Sequence, residues 1–414
     1  QVVSLTTGQV AAITTTQLQA LTVGSVNALS TSQVTALDAT QVASLTTGTV
    51  TALSSDQIAS LTTTQVGALT TTQVAAVKAD QVVALTTTQV AKLSTTQLGA
   101  LTEANVANLS TAQVNALSTT QLTSLSNGQI DSLTAAVITS LATDKLAALT
   151  TSQVTALTAD QMGALSTSGA AALTTSQVKV LGADQIRALS TASVAALTTG
   201  QLQALTTTQV SELTNNTVAS LTTSQVAGLN TSQVQVLADS VVTALSTSQL
   251  TALTTAQVGA LTASQVRALS TTEVAALTTG QVKALTATQV GALETADMVA
   301  MSTDQVSALN TTQVAALTAG MVTALSTAQV AALGTTNVTA LTDTQVRALT
   351  TASVAALSTA QVAVLGTGQV AALTAGSIGA LSTAQVGALT TSQVKVLTTA
   401  NIVALSTAQV AALS

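Results

Sequence analysis

One eight-residue period runs through the whole chain without a break. Val2, Val10, Leu18, Val26, Val34 and Val42 stand eight apart, as do Leu5, Ile13, Leu21, Leu29, Leu37 and Leu45. The two columns end on Val410 and Leu413, so about 52 octads follow one another with no insertion or deletion. The Leu column departs only at Ile13, Val77 and Met301, and the Val column takes Val, Ile, Leu or Met everywhere except Ala170. In so strict a register a one-residue slip would misplace everything downstream. That is the mark of a stacked repeat array and not of a disordered low-complexity tract. The expectation is one continuous octad array over residues 1–414, with no separate domains or linkers.

Written as Q-V-A-A-L-T-T-x, the octad admits three folds. A single continuous helix would run roughly 620 Å at 1.5 Å per residue. Its apolar stripe would drift by about 80° per octad, so no partner could cover it. A β-solenoid suits Thr and Val. However, Val at position two and Leu at position five would point to opposite faces of a strand. Short helices account for more. Thr or Ser at position six with Gln three residues later is a capping box, and Val and Leu at i and i+3 share one helical face. Charge gives an independent sign. All but Asp131 and Glu212 of the fifteen acids fall at positions six, seven, eight or one, and six of the nine bases fall at position three. That order suits a helix dipole. The expected fold is therefore an all-α solenoid of very short helices, about seven residues each, with a β-solenoid as the alternative. Expected core residues include Val2, Leu5, Val10, Ile13, Leu202, Leu205, Val410 and Leu413. Expected caps include Thr6, Ser326 and Ser406, with Gln329 and Gln409 closing boxes. One octad cannot stabilise itself, so neighbours along the chain and on the next coil must cover its Val and Leu. Ala at position four and Gly at position three (Gly67, Gly99, Gly163, Gly259, Gly291, Gly379, Gly387) would let adjacent helices approach closely. Spacing alone leaves the number of octads per turn open.

Composition narrows the chemistry. The chain has no Phe, Tyr, Trp, His, Cys or Pro, and 6% of its residues are charged. Without His or Cys the commonest bases, thiolate nucleophiles and imidazole or thiolate metal ligands are missing. Glu294 and Asp297, spaced i and i+3, could pair as acid and base but read better as charges at a helix start. Asp184 and Arg187 read as a surface ion pair of little energetic weight. Acids are too sparse for repeated calcium sites, and Gly366 and Gly368 lack the lysine of a phosphate loop. The expectation is no enzyme activity, no catalytic, cofactor or metal site, and no small-molecule substrate. A net charge of −6 has the wrong sign for phosphate backbones, and no stretch of about eighteen residues is apolar enough to span a membrane. Neither nucleic acid nor a membrane span is expected.

Leu261–Val266, "LTASQV", resembles the helix opening of TAL-effector repeats. The proline, second helix and base-reading pair of those repeats are absent, so DNA recognition does not carry over. The wider pattern resembles the octapeptide tracts of large, low-complexity bacterial surface and adhesin-type proteins. That resemblance implies an extracellular or cell-surface structural element: a stiff fibre, stalk or filament. Both ends fall inside the pattern and show no polar cap, so end-to-end self-association or continuation in a longer chain is expected. The alternative is a binding surface, for ice or a glycan, on the Thr/Ser face.

Overall fold

The structure is a computed structural model and describes residues 2–413. A 3-10 turn at Val2–Ser4 precedes 51 α-helices of four to six residues, and no strand occurs among the described residues. The fold is all-α, and the β alternative finds no support. The helices are shorter than the seven residues expected, because Leu and the following Thr or Ser are extended rather than helical. The helix Thr63–Ala68 is typical: Thr62 enters it at φ −68°, ψ 158°, and Leu69 leaves it at φ −55°, ψ 132°. Two extended residues make each corner. Among the described residues no glycine has positive φ and no peptide is cis, so the corners use ordinary extended backbone and need neither glycine nor proline.

By its internal contacts the chain divides into two units, Gln1–Glu212 and Leu213–Ser414. In the first unit each helix packs on the third helix further along, as Ala39–Ser44 packs on Thr63–Ala68. In the second unit the rule is the same, as with Thr271–Ala276 and Thr295–Ala300. Within each unit, therefore, three octads make one coil of the solenoid, and residues three octads apart occupy equivalent places on successive coils.

The core is a column of small and medium aliphatics. Val10, Leu202 and Leu205 are buried. Val2, Leu5, Ile13 and Leu413 are half-buried. Val410 departs from the core expected of it, being 49% exposed. The reason lies in the direction of the side chains. Val10, Leu18 and Val26 in the first full coil are already buried, whereas Ile402 (43%) and Val410 in the last are not. The Val position faces the next coil, and no described coil follows Val410. Backbones of successive coils come close at position three. A Cβ on Gly163, Gly259, Gly291, Gly379 or Gly387 would stand 3.0–3.2 Å from the carbonyl oxygen of Ala188, Ala284, Ala316, Ala404 or Ala412 respectively, while Gly67 and Gly99 are less crowded.

Candidate functional site: the glutamine column

The polar residues of the octad are used on the backbone. Thr6 accepts at Oγ1 from the Gln9 N–H at 3.3 Å, and Gln9 Oε1 accepts from the Thr6 N–H at 2.8 Å. Ser326 with Gln329 (3.2 and 2.8 Å) and Ser406 with Gln409 (3.3 and 2.7 Å) have the same reciprocal pair. Position six is thus the N-cap and position one the third helical residue, N3. Acids at positions six, seven, eight and one stand within the first turn.

What spacing could not reveal is the other end of the glutamine. Gln65 Nε2 donates to the carbonyls of Val34 and Leu37 at 2.9 and 2.7 Å, 31 and 28 residues back. Gln257 reaches Val226 and Leu229 at 3.0 and 2.6 Å, and Gln329 reaches Met298 and Met301, both at 2.7 Å. These carbonyls lie at the C-terminal end of a helix in the preceding coil: the Val carbonyl also accepts from the Leu N–H three residues on, as Val34 O does from Leu37 at 3.3 Å, whereas the Leu carbonyl lies beyond the helix. A single side chain therefore caps its own helix and the end of another, tying two coils together. The cost of desolvating an amide is met because both of its ends are bonded. Gln9 and Gln17 are exposed, and the column becomes buried from Gln33 onward, once a preceding coil exists to cover it. Only a three-octad coil brings these residues together, so the octad sequence alone gives no sign of the bridge.

Some departures from Gln keep the link to the preceding coil. Asn105, Asn337 and Asn401 donate to the Leu-column carbonyls of Val77, Leu309 and Leu373 at 2.8, 2.6 and 3.1 Å. Ser193 Oγ donates to Leu165 O at 3.0 Å, and Lys145 Nζ donates to Asn115 O. A second link runs the opposite way: Thr139 and Thr323 at position three donate forward to the carbonyls of Ala164 and Ala348, both at 2.8 Å.

Asp184 and Arg187 are paired at 2.9 Å, and Arg187 also binds Glu212 at 2.7 Å from the next coil. The Glu212 hydrogen bond, then its charge, raise the Arg187 pKa further. Glu294 and Asp297 separate in character: Glu294 is exposed at the N-cap, while Asp297 is buried at a Gln position. Burial pushes the Asp297 carboxyl above its ordinary range, with a smaller push from the Glu294 charge and a counteracting backbone hydrogen bond from Glu294. Among the described residues no group of three or more acidic side chains converges as a metal site would require, and no helix is long and apolar enough to cross a membrane.

The ALTTAQ repeat matches residues 10–47, 47–79, 74–111, 183–215, 242–271, 263–295, 290–327, 322–351, 343–375 and 371–399, well over half of the chain. The naming letters stand intact at Ala252–Gln257. They run from the last helical Ala through the corner Leu and the cap Thr254 to the bridging Gln257 of the next helix. A search of curated proteins finds no match. By these matches the chain belongs to the ALTTAQ repeat family.

Proposed function

We propose that this chain is a non-catalytic structural element, a stiff fibre, stalk or filament segment at the cell surface or outside the cell. The observation that carries the reading is the glutamine bridge. The Gln side chain that stands in 36 of the 52 octads bonds to the preceding coil, as at Gln65, Gln257 and Gln329, so the repeat puts its hydrogen-bonding capacity into its own continuity. The faces of a coil are also complementary. Gln9 and Gln17 Nε2 have no partner among the described residues, while Ile402 and Val410 are exposed at the opposite end. A further coil, in the same chain or in a second copy, would bond the first and bury the second. End-to-end association is part of the reading, and the resemblance to bacterial surface tracts is consistent with it.

Electron microscopy of the purified chain, with variants carrying whole added coils of three octads, tests the reading. The expected result is particles whose length grows by one fixed step for each added coil, joined end to end at higher concentration. Particles that do not lengthen would contradict it. Thermal hysteresis, or glycan retention on an array, would favour a binding role for the Thr/Ser face instead.

A further inference from the structure

Every coil carries three glutamine-column positions, one at each corner, and in the second unit one corner loses its donor three coils running. Glu273, Asp297 and Met321 stand three octads apart in that column, between Gln249 and Gln345. The two glutamines make the usual bridges, to Leu221 O and Leu317 O, both at 2.7 Å. The three residues between them keep the cap and drop the bridge. Glu273 Oε2 accepts from the Ser270 N–H at 2.7 Å, Asp297 Oδ2 from the Glu294 N–H at 2.8 Å, and Met321 Sδ from the Thr318 N–H at 3.4 Å. None of the three side chains bonds to the preceding coil among the described residues. A carboxylate and a thioether have no hydrogen to donate. Length is not the cause, since Asn401, as short as Asp297, still reaches Leu373 O at 3.1 Å. The corner carbonyls that glutamines would take, those of Leu245, Leu269 and Leu293, accept no hydrogen bond among the described residues.

The other two corners of the same coils are tied throughout. Gln265, Gln289 and Gln313 hold one and Gln281, Gln305 and Gln329 the other, each bonded to the corner carbonyl 28 residues back at 2.6–2.9 Å. Position three offers no substitute at the broken corner. Thr323 ties forward to Ala348, but Ala275 and Val299, in the same place on the two preceding coils, have no side-chain donor. The aliphatic column beside the break is intact, with Val274, Met298 and Val322 fully buried. We infer that this corner is a hinge built into the solenoid: the coils part transiently at Glu273, Asp297 and Met321 and swing about the line through the two tied corners. The second unit therefore yields here in one direction, while its core keeps the stretch stacked at rest. The hinge modifies the stiff element proposed above and rests on the coil architecture, not on where that element acts.

Amide hydrogen exchange of the full chain, corrected for intrinsic rates, tests the hinge. The helices Thr271–Ala276, Thr295–Ala300 and Ala319–Ala324 should exchange roughly tenfold faster than Thr247–Ala252 and Asp343–Ala348, which stand in the same stack but keep their glutamines. E273Q/D297Q/M321Q restores the column. It should slow the three helices to the rate of those neighbours and leave helices at the tied corners unchanged. The converse variant, Gln345→Met, should speed exchange in Asp343–Ala348 and extend the hinge by one coil. Equal rates in the unmodified chain would overturn the inference, as would three helices that stay fast in the restored column. So would Q345M that leaves Asp343–Ala348 as protected as before. None of these readings depends on particle length, so the hinge can fail while the fibre stands.

Discussion

Gln313 shows how much one side chain can hold. It is fully buried; its Oε1 accepts from the Asn310 N–H at 2.8 Å and its Nε2 donates to Val282 and Leu285 at 2.9 and 2.6 Å. Gln313→Leu leaves the Asn310 N–H and the Leu285 carbonyl unpaired, while Val282 O keeps the Leu285 N–H, and should lower stability by about 2–4 kcal/mol in denaturant titration. Gln313→Glu keeps the box and exchanges the bridging donor for an acceptor. It should be more damaging at pH 7 than at pH 4, because only the protonated acid can donate. Equal loss at both pH values would count against the bridge. Leu205, 4% exposed, is a core counterpart: Leu205→Asp should destabilise its region by more than about 4 kcal/mol, seen as lost cooperativity in thermal melts. Val77 offers the opposite change. It is short for its column and borders an apolar gap lined by Leu69, Val74, Val82 and Leu85. Val77→Leu should raise stability by about 0.5–1 kcal/mol, measured the same way. The Gln role in the box is local, within one octad pattern, and is legible in the sequence. Its bridge reaches into the preceding coil and depends on the coil size, which no pairwise spacing in the octad contains.

A helix of four to six residues has almost no intrahelical hydrogen bonds and cannot persist alone. Its stability comes from caps at one end, bridges at the other and aliphatic contacts above and below. Peptides of one or three octads should therefore show coil-like circular dichroism. Helicity should rise steeply once a second coil can stack, at six octads and beyond. A helical spectrum from three octads would show that the helices do not need the bridge. The helical class was legible because three local signals agreed: the box, the i, i+3 apolar pair and the order of charges. Helix length was overestimated because Leu, apolar and periodic, read as the last helical residue. It is instead the extended corner, as Leu69 and Leu61 show.

At the scale of the whole molecule, the octad is the unit of register and three octads are the unit of stacking. Arg187 and Glu212 meet across successive coils, although they lie far apart along the chain. A sequence reading places Arg187 with Asp184 and leaves Glu212 unexplained, since only the coil period joins them. The same period predicts which residues can be linked covalently in a chain that has no cysteine of its own. A Cβ on Gly163 would lie 3.9 Å from that of Ala188, close to the roughly 3.8 Å between Cβ atoms in a disulfide. Mild oxidation of Gly163→Cys/Ala188→Cys is thus the most direct test, set beside Gly163→Cys/Ala196→Cys, which is one octad out of step. A three-octad coil predicts rapid disulfide formation in the first pair and none in the second. Cross-linking of the second pair, with the first left reduced, would contradict the architecture from which the glutamine bridge follows.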